Sequence, residues 1–390
     1  MSAPLVIVGT GMAGYGVLRA LRHVDTRQPV WIAAADDGAA YAKFELATAL
    51  AQRREAGQLV VATAEQMAYR FGATVEPHCR VVAIDRERRV VRTQTSGRAS
   101  GEQAYSRLVL ATGAEAVRPS AMRGSAADRI LTVSSLAEYT YLRSELAGRK
   151  RVVVLGGDLP GCELAGNLLR GGCEVTLLEP QNRLLCDSFP TLCAGRIEQD
   201  LRSAGVSLWI EDGIHRIEQR GYDLEITTLS GLRLIAEVVV AALGSRPRST
   251  LAREAGLDVA SAIVVNGQMR SSDEHIFAVG ECAQMANRVF AHVDDIEESV
   301  RVLAGGLTGG RNRMLRWHPR SRRMQTGCSE AVICEPPRGL DGEWHECATG
   351  RGVRALFHDR SGKLRGFALV GATTDETHRL LSGVGHWWSG

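Results

Sequence analysis

Three glycines near the amino terminus have the spacing of a phosphate-binding turn. Gly9, Gly11 and Gly14 form a G-x-G-x-x-G pattern between an apolar run and a helical pattern. In such a turn the first glycine permits the tight bend, the second lets the backbone approach a pyrophosphate, and the third lets the helix pack against the sheet. The helix N-terminus then offers N–H groups and the positive end of its dipole. Asp36 and Asp37 end the next apolar run and can accept hydrogen bonds from a ribose, so the pattern indicates dinucleotide binding.

A second turn of the same kind follows about 150 residues later. It contains Gly156, Gly157 and Gly161, and the next apolar strand ends in Glu179. Two such turns indicate two dinucleotides, one to bring electrons in and one to pass them on. Asp158, however, stands where the pattern has its middle glycine.

Asp158 places a side chain and a negative charge where an anionic ligand would approach. At an effective dielectric constant of about 20, like charges 4 Å apart repel by about 4 kcal/mol. The residue therefore predicts a weakened second dinucleotide site. The alternative is that the turn shifts and the Asp158 side chain caps the following helix, since aspartate is a favourable capping residue.

Both turns lie in repeated strand–turn–helix–strand units. Residues 4–9 predict a buried strand, the helix after the turn extends to about His23, and Val30–Ala35 predicts the next strand. Residues 151–180 repeat this plan. The predicted fold class is α/β, with two Rossmann-like dinucleotide-binding domains and a small α+β domain at the carboxyl end.

Composition restricts the functional classes. The 390 residues carry a net charge of +3, which does not indicate nucleic-acid binding. The sequence has no apolar stretch of the roughly 18 residues that a membrane span needs, and no signal peptide is evident, so we expect a cytoplasmic protein. The nine cysteines form no C-x-x-C pair, and we predict no metal site.

Further motifs complete a family pattern. These are Tyr41-Ala42-Lys43, Ala111-Thr112-Gly113, the second glycine turn leading into Glu163, Gly280-Glu281-Cys282, and the stretch from Pro336 to Trp344. In this order the chain resembles the two-dinucleotide-fold flavoprotein reductases, and within them rubredoxin reductase and the related flavorubredoxin and ferredoxin reductases. The resemblance extends over nearly the whole chain.

The resemblance implies a domain division and an FAD site. Residues 1–113 and 237–310 would form the FAD domain, residues 114–236 an inserted NAD(P)-binding-like domain, and residues 311–390 an interface domain. The residues implied to bind FAD are Gly9, Gly11, Gly14, Asp36, Asp37, Lys43, Val81, Thr112, Gly113, Gly280 and Glu281.

The resemblance also implies the reaction. NADH would bind at Gly156, Gly157 and Gly161, with Glu179 accepting from the ribose 2′-hydroxyl, and would give a hydride to the flavin. Glu163 and Lys43 would be the catalytic residues beside the flavin ring. Electrons would then pass to an acidic, rubredoxin-like protein or to a pathway enzyme.

Some positions depart from the family pattern. Glu281 stands where the family has aspartate, and the motif after Lys43 contains Phe44 and Glu45. Asp294 and Glu297 have capping-box spacing where the family has a mainly apolar helix start, which predicts that Asp294 caps that helix.

Two other functions stay open. One is a diverged flavoenzyme with a remodelled or lost NADH site that acts on a small molecule in a specialised pathway. The other is a non-catalytic partner protein of the same fold. A basic cluster is either a docking site for an acidic partner or a solvated linker; it comprises Arg311, Arg313, Arg316, Arg320, Arg322 and Arg323.

Overall fold

The computed structural model describes residues 3–95, 100–119, 123–309 and 313–384. Arg311 of the predicted basic cluster lies outside these residues. Within them, none of the helices combines the length and the apolar character that crossing a bilayer requires.

The strands and helices are numbered in chain order. The strands are β1 Leu5–Val8, β2 Val30–Ala33, β3 Ala40–Tyr41, β4 Val60–Ala62, β5 Thr74–Glu76, β6 Cys79–Asp85, β7 Val90–Thr95, β8 Gly101–Ala104, β9 Arg107–Leu110, β10 Ala114–Ala116, β11 Ile130–Leu131, β12 Arg151–Leu155, β13 Glu174–Glu179, β14 Ser207–Ile210, β15 Ile214–Arg220, β16 Asp223–Thr228, β17 Arg233–Ala236, β18 Val238–Ala241, β19 Ser245–Pro247, β20 Ile263–Val264, β21 Ile276–Ala278, β22 Ala283–Met285, β23 Arg288–Val289, β24 Arg322–Gln325, β25 Glu330–Cys334, β26 Gly342–Thr349, β27 Gly352–Asp359 and β28 Leu364–Gly371. The α-helices are α1 Met12–Arg22, α2 Leu46–Ala51, α3 Ala64–Phe71, α4 Leu136–Leu146, α5 Leu159–Arg170, α6 Thr191–Ala204, α7 Thr250–Glu254, α8 Val293–Leu307 and α9 Thr377–Val384.

The first unit comprises residues 1–43, 57–115 and 246–317 and is built on a parallel sheet. The strand order is β21-β9-β1-β2-β5. All four residues of β1 are buried, as expected for a central strand that is covered on both faces. Helices α1 and α8 pack together where Gly16 lies against Val300. The first glycine turn therefore leaves the middle of this sheet.

The second unit comprises residues 44–56, 116–245 and 318–390 and repeats this arrangement. Its parallel sheet has the order β11-β18-β12-β13-β14. The strand β12 takes the place of β1, and the second glycine turn connects it to α5. The predicted pair of Rossmann-like sheets is confirmed.

The carboxyl-terminal part of the second unit is an antiparallel sheet of order β24-β25-β28-β27-β26. A small core forms between this sheet and α9, with Phe367, Leu369 and Leu380 among its buried residues. On α6, the Cys193 thiol donates to the Ala368 carbonyl of β28 at 3.8 Å. This sheet with α9 is the predicted small α+β domain.

Candidate dinucleotide sites

The first glycine turn is tight everywhere except at its middle glycine. Gly9 has a φ of +111°, and a Cβ atom there would lie 2.3 Å from the Ala111 carbonyl oxygen. A Cβ atom at Gly14 would lie 2.0 Å from the Gly9 carbonyl oxygen. At Gly11, in contrast, no atom of the described residues other than its chain neighbours lies within 4 Å of the Cβ position. The backbone at Gly11 is therefore open to a ligand, as a pyrophosphate requires.

Asp36 and Asp37 form an exposed acidic corner after β2. One carboxylate oxygen of each accepts a backbone N–H, from Gly38 and Ala39 respectively, both at 3.0 Å. Because an ionised carboxylate can accept several hydrogen bonds, both side chains keep capacity for a ribose hydroxyl.

Tyr15 was not predicted from the sequence as a site residue, but it stabilises the turn that contains Asp36 and Asp37. The buried Tyr15 hydroxyl donates to the Gly38 carbonyl at 2.5 Å. Burial, with smaller contributions from Asp36 and Asp37, raises the pKa of Tyr15 to about 12. The phenol is therefore neutral at physiological pH and stays a donor.

Lys43 and Glu281 form an ion pair within the first unit. The Lys43 Nζ and Glu281 Oε2 atoms are 2.8 Å apart, and the side chains are 37% and 23% exposed. Next to Glu281, Gly280 has a φ of +79°, and a Cβ atom there would lie 2.8 Å from the Cβ atom of Ala13. The Gly280 turn is thus held against the start of α1, and two predicted cofactor ligands contact each other.

The remaining predicted FAD residues lie within β6 or shortly after the end of β9. The Thr112 hydroxyl donates to the Arg248 carbonyl at 2.7 Å, and the Gly113 carbonyl accepts the Arg248 N–H at 2.9 Å. Gly113 has a φ of +67°, which favours glycine. Val81 lies in β6 with its side chain in the hydrophobic core. The FAD contacts of these residues stay predictions.

The second glycine turn repeats the geometry of the first. Gly156 has a φ of +101°, and a Cβ atom at Gly161 would lie 1.8 Å from the Gly156 carbonyl oxygen. At Gly157, a Cβ atom would lie 2.5 Å from the Leu184 Cδ2 atom, so a side chain there would require Leu184 to move. The backbone of a nucleotide-binding turn is therefore retained.

Asp158 neither displaces this turn nor caps α5. It precedes α5 with φ −82° and ψ −176°, close to the −67° and −173° of Gly11 before α1. Its side chain forms no capping hydrogen bond. Instead, Oδ1 of Asp158 accepts from the Ser188 hydroxyl at 2.5 Å. The alternative, in which the turn shifts and the Asp158 side chain caps α5, is therefore wrong, because the carboxylate accepts from Ser188 and an extended backbone accommodates aspartate without strain.

Glu179 ends β13 with a buried carboxylate that faces the turn. Its Oε2 atom accepts the Gly157 N–H at 2.5 Å, and its Oε1 atom accepts the Gln181 N–H at 2.7 Å. Both oxygens can accept further bonds. Its role toward a ribose hydroxyl stays a prediction.

Glu163 lies on α5, five residues after Asp158, and is half-buried. Its Oε1 atom accepts the Gln325 N–H at 3.1 Å. Burial raises the pKa of the Glu163 carboxyl, while the Gln325 N–H and the charge of Arg322 act in the opposite direction. A carboxyl with a raised pKa is suited to proton transfer, but the catalytic role of Glu163 stays a prediction.

Cys162 is unsuited to nucleophilic chemistry. Its thiol is fully buried and donates to the Gly157 carbonyl at 3.3 Å. Burial raises the pKa of this thiol, so the reactive thiolate is disfavoured.

The capping box predicted at Asp294 is wrong. The helix α8 begins at Val293, two residues earlier than a cap at Asp294 requires, and the His292 side chain that precedes it makes no capping hydrogen bond. Asp294 and Asp295 therefore lie inside the first turn, where acidic side chains stabilise the helix dipole. Asp295 is buried, and its Oδ2 atom lies 3.6 Å from Arg288 Nη2.

Two arginines of the basic cluster are paired across the carboxyl-terminal sheet. Arg322 pairs with Glu335 and Arg323 pairs with Glu330, each on the neighbouring strand region. The positive charge that this part of the cluster offers to an acidic partner is therefore reduced.

Comparisons with known protein families agree with the predicted flavoprotein reductase fold and with the predicted resemblance to rubredoxin reductase. Residues 3–302 match the family described as pyridine nucleotide-disulphide oxidoreductase. Residues 326–384 match the family described as rubredoxin binding C-terminal domain. The first match contains both glycine turns, and the second contains β25 to β28 and α9.

Two full-length relatives support these matches. A rubredoxin-NAD(+) reductase from Alcanivorax borkumensis is 33% identical over 378 residues, which is 97% of each chain. A nitric oxide reductase FlRd-NAD(+) reductase from Vibrio vulnificus is 33% identical over 382 residues, which is 98% of each chain.

Solved structures show the same fold. A NAD-dependent persulfide reductase from A. fulgidus has a TM-score of 0.89 at 23% identity, covering 98% of this chain and 76% of that one. The covalent putidaredoxin reductase–putidaredoxin complex gives a TM-score of 0.86 at 23% identity, covering 98% of this chain and 94% of the matched one.

Proposed function

The chain belongs to the pyridine nucleotide-disulphide oxidoreductase family, and from that premise we propose that it is an FAD-dependent enzyme that oxidises NADH and reduces a rubredoxin. The observation that carries the proposal is the match of residues 326–384 to the rubredoxin binding C-terminal domain, in a chain with two glycine turns of the same backbone geometry. Relatives at 33% identity over nearly their full length are named as a rubredoxin-NAD(+) reductase and a nitric oxide reductase FlRd-NAD(+) reductase, which supports it.

FAD fits the residues of the first unit. The open space at Gly11 and the free acceptor capacity of Asp36 and Asp37 match a pyrophosphate and a ribose, and Lys43 and Glu281 supply polar groups toward the remainder of the cofactor. When bound, FAD supplies the chemistry that links two-electron nicotinamide oxidation to one-electron iron reduction.

The second turn is proposed to hold NADH. Gly156 and Gly161 shape the turn, and Glu179 accepts a ribose hydroxyl, which favours NAD over NADP. Asp158 lowers the affinity without removing the site, because the backbone keeps its conformation. Glu163 is proposed to orient the nicotinamide, with its own carboxylate positioned by the Gln325 N–H.

The proposed partner is an acidic rubredoxin-like protein that binds the carboxyl-terminal domain. The arginines of β24 contribute to this surface, although their pairing with Glu330 and Glu335 limits their effect. The proposed location is the cytoplasm, which is supported by nine cysteines that are all free thiols.

An anaerobic NADH titration of the FAD-loaded protein, followed by addition of rubredoxin, tests the function. We expect NADH to bleach the visible flavin absorbance and rubredoxin to restore it. Rubredoxin mixed with NADH alone is the control. Retained flavin that stays oxidised would favour the diverged flavoenzyme, whereas failure to bind FAD would favour the non-catalytic partner.

A further inference from the structure

Asp158 occupies the position of a nucleotide-binding glycine without distorting it. Its φ and ψ differ from those of Gly11 by only about 15° and 3°. Any effect of Asp158 on dinucleotide affinity at the second turn must therefore come from its side chain. The hydrogen bond from Ser188 sets the direction of that side chain.

Ser188 is held firmly in the segment that follows β13. The residue is buried, with 9% of its surface exposed, and its backbone N–H donates to the Leu185 carbonyl at 3.1 Å. The Leu185 N–H in turn donates to the Gly157 carbonyl at 2.9 Å, which fixes the segment against the turn. The guanidinium of Arg183 donates to the carbonyls of Cys186 and Phe189 in the same segment, at 2.7 and 3.0 Å.

The charge of Asp158 is not neutralised locally. Across the part of the chain that the structure describes, no lysine or arginine forms an ion pair with Asp158. Among the described residues, its one side-chain hydrogen bond is accepted from the uncharged Ser188 hydroxyl. Pro160, in the first turn of α5, has no N–H to offer to an anion. The position of the carboxylate therefore controls how strongly it repels a pyrophosphate.

We propose that Ser188 is a positioning residue that holds the Asp158 carboxylate to one side of the second turn and so sets the affinity of that turn for NAD(H). The inference rests on the proposed NADH site. Without the Ser188 hydroxyl, the carboxylate samples rotamers closer to the phosphates, and binding weakens. If residue 158 is neutral, the Ser188 hydroxyl no longer positions a negative charge, so its removal should have little effect on binding.

The test is a double-mutant cycle with NAD+ as the ligand, measured by isothermal titration calorimetry on the FAD-loaded protein. We expect Ser188→Ala to weaken binding about fivefold and Asp158→Asn to tighten it about fivefold, in line with a partly screened charge effect. In the Asp158→Asn background, Ser188→Ala should change the affinity less than about twofold, because the two positions are coupled.

Ser125→Ala is the matched control. The Ser125 hydroxyl also donates to a carboxylate of the second unit, that of Glu218 at 2.5 Å. This substitution should leave the affinity for NAD+ unchanged, and thermal unfolding should show that all variants are folded.

Ionic strength separates a charge effect from a structural one. At about 1 M salt the Debye length is about 3 Å, so the affinities of the wild type and of Ser188→Ala should converge. The inference would be overturned if Ser188→Ala weakened NAD+ binding equally in both backgrounds, weakened it independently of salt, or did not weaken it. In each of these cases the binding of NAD+ itself would still support the proposed function. If neither wild type nor Asp158→Asn binds NAD+, the proposed function and the inference both fall.

Discussion

Gly11 and Gly14 belong to one turn but have different surroundings. Among the described residues, a Cβ atom at Gly11 would contact nothing within 4 Å beyond its chain neighbours, whereas at Gly14 it would lie 2.0 Å from a carbonyl oxygen. We expect Gly11→Ala to change the free energy of unfolding of the apoprotein by less than about 1 kcal/mol. It should nevertheless weaken FAD binding at least about tenfold, because the added methyl group occupies the side that a pyrophosphate approaches.

Gly14→Ala is the matched change and should lower stability as well, since overpacking costs about 1–3 kcal/mol. Denaturant unfolding and FAD titration measure the two effects separately. An equal loss of stability in both variants would contradict the assignment of Gly11 to ligand approach.

The raised pKa of Tyr15 predicts a pH dependence of stability. Its folded pKa of about 12 exceeds the model-compound value of 10.0, so its contribution is complete below pH 10 and is lost as the pH rises toward 12. Tyr15→Phe removes the hydrogen bond to Gly38 and should cost about 1–2 kcal/mol at pH 7. Urea unfolding of both proteins at pH 7 and pH 11 should show this difference shrinking at the higher pH; a constant difference would contradict it.

The helix α5 connects the second nucleotide turn to the carboxyl-terminal domain. A Cβ atom at Gly166, in the middle of α5, would lie 1.8 Å from the Thr326 carbonyl oxygen. Gly166→Ala should therefore lower the free energy of unfolding by about 1–3 kcal/mol, even though alanine is the better helix former.

Gly195 on α6 provides the control for this prediction. Apart from its chain neighbours and the backbone of α6 itself, no atom of the described residues lies within 4 Å of its Cβ position, so Gly195→Ala should stabilise the protein by about 0.5–1 kcal/mol. Denaturant unfolding measures both variants. If Gly166→Ala were also stabilising, the close contact between α5 and Thr326 would be refuted.

Elements could be predicted from the sequence where the signal was local. The strand predicted at residues 4–9 is β1, and the helix predicted to extend to about His23 ends at Arg22. Both predictions succeeded because an apolar run, a glycine turn and an amphipathic pattern are signals that span only a few residues. The start of α8 was misplaced, since Asp294 fits equally well at a cap or in a first turn.

Contacts between distant residues could not be predicted in the same way. Ser188 is 30 residues from Asp158, and Lys43 is 238 residues from Glu281. No propensity or spacing rule relates such positions, because only the folded sheets bring them together. The type of site was therefore predictable, whereas the state of its charged side chains was not.

For the whole molecule, the net charge of +3 predicts a salt-dependent encounter with the proposed acidic rubredoxin-like partner. We expect kcat/KM for rubredoxin to fall severalfold between about 0.05 and 0.5 M salt, since the Debye length shortens over this range. The rate of NADH-dependent flavin bleaching should change much less with salt. Stopped-flow measurement of both steps checks this, and a rubredoxin rate that does not vary with salt would exclude electrostatic steering.

The contact of Gly166 with Thr326 has a consequence for protein engineering. We expect the carboxyl-terminal domain to depend on α5, because the Thr326 carbonyl occupies the place that a side chain at Gly166 would take. In a chimera that exchanged residues 326–384 for a domain of different specificity, the surface of α5 at Gly166 would still be shaped for the original turn. Such an exchange should succeed only when α5 is transplanted together with the new domain.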